Sequence, residues 1–185
     1  MEESKQIQLS TKDIILRYGL ICGGFSILVV AILYLIDASL LFGYVGYTGV
    51  VGMLTIGVLA ALKKKTVDGG LISYGDSVTT SLATYSFGQV VYTLFMLLLY
   101  FVIDPSLVGR MKSVQIERMD KYQASGAFTK EQYNAAVAGI ENIGPQTILF
   151  YSIVGLIVVV IIALLIFLLT SIFVKKESPF KNSPA

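Results

Sequence analysis

The hydrophobic pattern of the chain consists of four long apolar runs separated by shorter polar stretches. A bilayer core about 30 Å thick is crossed by roughly 20 helical residues, and each run reaches that length. The interiors of the runs carry no Asp, Glu, Lys or Arg, which disfavours a proton relay or a path for a charged substrate. The pattern therefore predicts four transmembrane helices, over residues 18–36, 43–62, 82–103 and 148–174.

The segment between the third and fourth runs, residues 104–147, is predicted to form two further helices. Asp104 is placed to cap the first of them, and Gly126 is a natural stop. Thr129 begins the second helix, with Gln132 three residues later as in a capping box. The segment therefore predicts a helical hairpin.

The distribution of Lys and Arg predicts how the chain is oriented. Three segments that would lie on one side of the membrane are basic, whereas residues 104–147 carry five basic and five acidic residues. Cytoplasmic segments are enriched in Lys and Arg, so both termini are expected in the cytoplasm. The predicted fold is all-α: one integral membrane domain, residues 1–185, forming a four-helix transmembrane bundle with an extracytoplasmic helical hairpin between the third and fourth spans. The basic residues concerned are Lys5, Lys12, Arg17, Lys63, Lys64, Lys65, Lys175, Lys176 and Lys181.

The composition agrees with a protein whose main partner is the lipid bilayer. Hydrophobic residues make up 55% of the chain and charged residues 14%, with a mean hydropathy of +0.77; a soluble domain carries about 25% charged residues. The net charge of +2 is too small to favour a nucleic-acid partner. With one cysteine and no histidine, we expect no intramolecular disulfide, no metal site and no cofactor. Cys22 lies inside an apolar run and is expected to be buried.

The stretch GGLISYGDS, residues 69–77, resembles a phosphate-binding P-loop but differs at the decisive position. A P-loop needs a lysine that reaches the phosphates, and this position holds Asp76, so no nucleotide is expected to bind. Ser73 and Asp76 instead have the spacing of a helix cap. The third helix is therefore predicted to begin near Tyr74, and the third span to cover residues 74–103.

The first turns of that helix carry a polar stripe that cannot favourably face acyl chains. Two interpretations remain open. The stripe packs against neighbouring helices through its small and hydroxyl side chains, or it lines a cytoplasmic vestibule or headgroup site together with Lys63, Lys64 and Lys65. The stripe consists of Asp76, Thr80, Thr84, Tyr85 and Gln89.

Glycines in the first two spans predict close approaches between helices, because small residues let backbones come together within a membrane. They serve either packing inside the bundle or a face for a second copy or a partner membrane protein. The glycines are Gly19 and Gly23 in the first span and Gly43, Gly46, Gly49 and Gly52, at a three-residue spacing, in the second.

A weak internal repeat relates the two halves of the chain. An offset of 67 residues aligns IDASL at residues 36–40 with IDPSL at residues 103–107. Both halves would begin on the same side of the membrane, so the relation would be a parallel duplication of a two-helix unit; a chance match is the alternative.

Several short motifs together resemble an uncharacterised family called domain of unknown function 4199. They are RYGLICGG, DGGLISYGDSVTTS before the third helix, the exit IDPSL, and a helical insert followed by a long final span. The resemblance covers roughly residues 14–174. It implies a four-helix protein of the inner membrane of bacteria, with no established activity or ligand.

The leading functional hypothesis is a non-enzymatic accessory or scaffolding subunit that acts through helix–helix contacts, because the pattern offers close-packing faces but no catalytic residues. The alternative is a small channel or transporter whose pathway is lined by the polar stripe. A membrane enzyme that uses Asp37 and Asp104 as a pair is the third option.

Overall fold

The computed structural model describes residues 10–43 and 48–176, and its regular structure there is helical apart from one isolated β-bridge. The all-α class is therefore confirmed for the described residues. A 3₁₀ helix follows α1 at Ala38–Phe42, and a π-helical turn at Leu99–Ile103 extends α3. The helices are α1 (Thr11–Ile36), α2 (Thr48–Val67), α3 (Tyr74–Leu98), α4 (Leu107–Ala124), α5 (Lys130–Glu141) and α6 (Pro145–Val174).

Three of the described helices are long and apolar enough to cross a membrane. They are α1, α3 with its π-helical turn (Tyr74–Ile103), and α6, with hydropathies of 2.5, 1.9 and 3.4. The chain thus has the character of a membrane protein. The described part of α2, Thr48–Val67, is not among them, because it ends in lysine-rich turns. Its uncharged part, residues 48–62, covers about 22 Å, less than the core of about 30 Å.

The helix ends follow from local capping, with two differences from the sequence prediction. Thr129 and Gln132 cap α5 reciprocally, and Gly126 has a φ of +76° after the end of α4, as predicted. The helix α1 starts before residue 18, because Ser10 caps it at Thr11. Asp104 caps a turn instead of α4 itself: its carboxylate accepts from the backbone N–H of Ser106, 3.1 Å away.

The helices α1 and α3 run parallel and are in close contact along their lengths. Gly19 lies against Phe87, Gly23 lies against Val91, and the Tyr34 hydroxyl donates to Asp104 at 3.0 Å. The helix α3 also contacts α2 and α6, and α2 additionally contacts α1 and α6. The helix α3 is therefore the centre of the bundle. A core cluster joins all four helices through Cys22, Met53, Tyr85, Ala163 and Phe167.

One end of the bundle gathers the described basic segments, and we call it the basic end. Here the Lys65 ammonium donates to the carbonyl oxygen of Val174 at 2.7 Å, which ties the end of α2 to the end of α6. Ile72 forms an antiparallel β-bridge with Lys176, which ties the start of α3 to the same place. The starts of α1 and α3 and the ends of α2 and α6 therefore lie together.

The helices α4 and α5 pack on each other at the opposite end. The Lys112 ammonium donates to the carbonyl oxygen of Glu141 at 2.8 Å, and the Tyr133 hydroxyl donates to Asp120 at 2.6 Å. Leu107 at the start of α4 is buried against the end of α3, and Arg118 donates to the carbonyl oxygen of Phe42. The pair is thereby anchored over the end of the bundle.

The parallel placement of α1 and α3 is what a duplicated two-helix unit would give. Each helix starts after a capping serine, Ser10 or Ser73, and each exit is an aspartate that accepts from a serine two residues later, Asp37 or Asp104. The distance from cap to exit is 31 residues in the second half and 27 in the first, a difference of about one helical turn. The duplication itself stays a prediction.

Candidate functional site

The polar stripe of α3 lies almost wholly inside the bundle. Thr80, Thr84 and Tyr85 are at most 1% exposed, and Gln89 is 7% exposed. The Ser77 hydroxyl, on the same face, donates to the Ser171 hydroxyl of α6 at 2.9 Å. Tyr85 packs edge-on against Phe167 of α6, with ring centroids 6.0 Å apart. These side chains are thus enclosed by neighbouring helices in the described structure. This is the arrangement that the packing interpretation describes.

Asp76 differs from the rest of the stripe because it is exposed. Its backbone N–H donates to the Ser73 hydroxyl oxygen at 3.1 Å, and the Ser73 hydroxyl donates to its carboxylate at 2.7 Å. The aspartate thus sits at the positive end of the α3 dipole, where an acidic group is stabilising. Its role in the described structure is that of a helix cap.

Two buried oxygens of the stripe have no hydrogen-bond partner among the described residues: Thr84 Oγ1 and Gln89 Oε1. Gln89 borders a cavity of about 40 Å³ between α1, α2 and α3, which Ser26 also lines. A cavity of this size and polarity is large enough for one water molecule. Gln89 also borders a second, larger space on its α6 side.

Of the predicted packing glycines, Gly19, Gly23 and Gly52 make close contacts inside the bundle. A Cβ on Gly23 would lie 2.7 Å from Val91, and one on Gly19 or Gly52 would overlap a phenylalanine side chain. Gly43 ends the 3₁₀ helix, and a Cβ on the buried Gly49 would meet no atom within 4 Å, so the three-residue spacing is not one continuous packing face. Gly46 lies outside the described residues.

Two further close-packing glycines lie outside the predicted set of packing glycines, although Gly88 is one of the small residues beside the polar stripe. A Cβ on Gly57 would lie 2.7 Å from Phe167, and one on Gly88 would lie 2.7 Å from both Cβ and Sγ of Cys22. The sequence carried a signal for Gly57, which lies three and four residues before the small pair Ala60 and Ala61 on α2. Small residues at such spacing mark helix crossings.

The three lysines of α2 have different surroundings. Lys64 pairs with Asp68 at 2.6 Å, and Lys65 caps the end of α6 as described above. Lys63 is half-buried. All three lie at the basic end, where the sequence prediction placed headgroup contacts.

The two aspartates at the opposite end, Asp37 and Asp104, are both capping residues. A hydrogen bond from the Ser106 hydroxyl lowers the pKa of Asp104, with further contributions from Tyr34 and Arg110. The Ser39 hydroxyl lowers the pKa of Asp37, and Arg110 also contributes. Both carboxylates are thus held ionised by capping hydrogen bonds. Among residues 10–43 and 48–176, no group of three or more His, Cys, Asp or Glu could hold a metal ion.

A cleft between α3 and α6, which the sequence prediction missed, lies beside the membrane-spanning helices. In the half of α6 next to the basic end, Ala163, Phe167 and Ser171 are buried. In the other half, residues 149–162, no side chain is buried. The two helices therefore pack tightly at the basic end and separate toward the helical pair.

The cleft has two connected parts. The slot lies between residues 89–100 of α3 and 151–159 of α6 and has a volume of about 260 Å³. The chamber, of about 530 Å³, lies between the α4–α5 pair and the ends of α3 and α6 nearest to it. Tyr100, Tyr151 and Ser152 line both parts, so the slot and the chamber adjoin. None of the residues that line either part is Asp, Glu, Lys or Arg.

The π-helical turn lies where slot and chamber meet. Tyr100 belongs to this turn and contributes to the walls of both. Single π-helical turns occur frequently at functional sites. The sequence carried a faint signal of the cleft, since Thr147, Ser152 and Gly155 interrupt the otherwise aliphatic and aromatic first half of α6.

Comparison with known proteins places the chain in one family. The family model described as "Protein of unknown function (DUF4199)" matches residues 17–176, nearly the whole chain, and the protein belongs to that family. No curated protein and no solved structure matches the chain.

Proposed function

We propose that this member of the DUF4199 family is a non-enzymatic accessory protein of the bacterial inner membrane. In this proposal α1, the second predicted span at residues 43–62, α3 and α6 cross the bilayer. Both termini are cytoplasmic and α4–α5 is an extracytoplasmic hairpin. The gathering of the described basic segments at one end supports this orientation, because basic residues favour the cytoplasmic side.

The observation that carries the functional proposal is the cleft between α3 and α6. Helix–helix contacts at the basic end, made through Gly57, Ser77 and Phe167, form the scaffold that holds the two helices. Beyond these contacts the helices separate and enclose a slot with an uncharged lining. The protein acts by holding a hydrophobic component of the bilayer in this slot, without covalent chemistry.

The size of the slot decides what kind of occupant it suits. The slot has a volume of about 260 Å³, below the range of about 300–1,000 Å³ typical of small-molecule sites. It therefore suits a narrow occupant such as one hydrocarbon chain. Assembly with a second copy or another membrane protein, if it occurs, uses an outer face of the bundle.

The channel or transporter alternative receives less support from the geometry. Its pathway would follow the polar stripe of α3, whose Thr80 and Thr84 are enclosed by neighbouring helices. Ion or solute flux into proteoliposomes that disappears in Thr84→Val would favour this alternative over ours.

The proposal is tested by asking whether the protein carries a bound molecule of the bilayer. The full chain is released from the membrane in mild detergent, and intact complexes are measured by native mass spectrometry. We expect a species that carries one additional lipid-sized mass, recoverable by organic extraction.

Matched glycine variants locate the bound molecule. Gly155 lines the slot, and Gly24 lies on the exposed face of α1; both have open space where a Cβ would project. Gly155→Leu should fill the slot and remove the bound mass, whereas Gly24→Leu should retain it. Absence of any bound lipid-sized mass in the wild-type protein, or its equal retention in both variants, refutes the proposal.

A further inference from the structure

We infer that the cleft selects a single-chain lipid with an uncharged, hydrogen-bonding headgroup. The headgroup lies in the chamber and the hydrocarbon chain lies in the slot. This inference rests on the proposed function and adds the chemical class of the ligand.

The lining of the chamber determines the headgroup class. Its volume of about 530 Å³ is within the range of about 300–1,000 Å³ typical of small-molecule sites. Polar side chains reach it from three helices: Gln115 of α4, Tyr100 of the π-helical turn, and Thr147 and Ser152 of α6. Hydroxyl and amide groups of this kind match the hydroxyls or carbonyls of a neutral headgroup.

A charged headgroup fits the chamber poorly. No Asp, Glu, Lys or Arg lines it, and an ionised group that leaves water without a partner of opposite charge loses much of its solvation energy. The lysine clusters of α2 and of the end of α6 lie at the basic end, at the far side of the bundle. Lys112 of the α4–α5 pair is next to the lining residue Met111, but its ammonium already donates to the carbonyl oxygen of Glu141. The chamber therefore discriminates against phosphate-bearing lipids.

The dimensions of the slot determine how much hydrocarbon it takes. Residues 89–100 of α3 extend over about 16 Å along the helix axis, which is about half of a bilayer core of about 30 Å. The slot thus reaches through one leaflet and ends at the Gln89 amide. A volume of about 260 Å³ suits one chain, whereas a two-chain lipid would have to leave its second chain outside.

The position of the slot gives the ligand direct access from the bilayer. The half of α6 that forms one wall is exposed to lipid, and Tyr151, which lines slot and chamber, is 61% exposed. Tyrosines favour the boundary between the acyl chains and the polar headgroups. The chamber with Tyr100 and Tyr151 accordingly lies at headgroup level and the slot at acyl-chain level.

The test uses two lipids that share an oleoyl chain and differ in the headgroup. They are monooleoylglycerol, whose headgroup is neutral, and oleoyl lysophosphatidylglycerol, whose headgroup carries a phosphate. The full chain is stripped of lipid in detergent, and each lipid is supplied with a photoreactive diazirine in its chain. Labelled peptides are identified by mass spectrometry, and unlabelled lipid is titrated as competitor.

We expect labelling within residues 89–100 and 151–159, saturable and competed by unlabelled monooleoylglycerol. Monooleoylglycerol should bind about tenfold more tightly than the phosphate-bearing lipid, equivalent to about 1.4 kcal/mol. Gln115→Met should reduce this headgroup preference while labelling of the slot remains, and Gly155→Leu should lose the labelling that Gly24→Leu retains. Competition in the wild-type chain decides the matter even if a variant fails to fold.

The outcomes separate this inference from the proposed function. Equal or tighter binding of lysophosphatidylglycerol to the same peptides overturns the headgroup inference and leaves the proposed function standing. Labelling confined to outer faces of the bundle, for both lipids, overturns both.

Discussion

Gly88→Ala is a small perturbation with an effect that the structure determines closely. Gly88 of α3 lies at a close contact between α1 and α3, and its partner across the contact is Gly23. A Cβ at position 88 would lie 2.7 Å from the Cβ and Sγ atoms of Cys22 and 3.1 Å from the backbone nitrogen of Gly23. Because one of these atoms belongs to the backbone, the contact cannot be relieved by rotating a side chain alone.

The expected change in the free energy of unfolding of Gly88→Ala combines two opposing effects. Over-packing a close-packed interior costs about 1–3 kcal/mol, and the backbone contact places Gly88→Ala in the upper half of that range. Replacing a helical glycine with alanine stabilises the helix by about 1 kcal/mol. The net loss should therefore be about 1–2 kcal/mol. Gly24→Ala, on the exposed face of α1, has no atom within 4 Å of the new Cβ and should gain up to about 1 kcal/mol.

The chain contains its own reporter for this contact. Cys22 is the single cysteine, it is 0% exposed, and its thiol donates to the carbonyl oxygen of Met53 at 3.7 Å. A maleimide can reach the thiol only when the helices separate. If opening and closing are fast compared with labelling, the labelling rate reports the population of the open state. A loss of about 1–2 kcal/mol corresponds to labelling that is roughly 5- to 30-fold faster.

The controls make the result decisive. Both variants should label at the wild-type rate in denaturing detergent, which shows that the thiol itself is unchanged. If Gly88→Ala labels no faster than Gly24→Ala in the folded state, the close crossing of α1 and α3 at Gly23 and Gly88 is wrong.

Three further predictions concern other contacts of the fold. Ser77→Ala should lower the free energy of unfolding by about 0.6–1.7 kcal/mol, the range found for hydrogen bonds between membrane helices, and a double-mutant cycle with Ser171→Ala that shows no coupling would contradict the contact. The hydrogen bond to Asp120 raises the pKa of Tyr133, so this bond stabilises α4–α5 below about pH 10 and is lost as the pH rises through the raised pKa. Fluorine NMR of a fluorotyrosine at position 133 should show a titration midpoint that falls in Asp120→Asn, and an unchanged midpoint argues against the bond. Gly70→Ala should cost about 1–2 kcal/mol in thermal unfolding because Gly70 has a φ of +88°, and a wild-type midpoint would show that the turn can rearrange.

The membrane character and several helix ends of this protein could be read from the sequence alone. Hydropathy is a property of a contiguous run, and capping depends on residues three positions apart, so both are local. For this reason the third span was predicted at residues 74–103 and is found at Tyr74–Ile103. The cap of α5 at Thr129 was found for the same reason.

The same local signals were ambiguous in the second run. Residues 43–62 have the length of a span, but the described part of this helix, Thr48–Val67, carries three lysines in its last two turns. Whether this helix crosses the bilayer depends on how its neighbours shield it, which a hydropathy window does not contain.

What each helix face contacts was decided only by the tertiary structure. The sequence showed that the polar stripe of α3 must avoid lipid, and left packing and a vestibule as alternatives. In the structure, the position of α6 brings Ser171 to Ser77 and Phe167 to Tyr85, across a sequence separation that no local pattern encodes.

The cleft is the clearest case of a feature that sequence could not predict. Thr147, Ser152 and Gly155 are visible in the final run, but small residues mark a close helix contact as readily as an open space. The cleft arises because α6 packs against α3 through Ala163, Phe167 and Ser171 and then diverges from it. The angle between two helices depends on their packing along the whole contact, and therefore only the assembled fold contains the chamber and the slot.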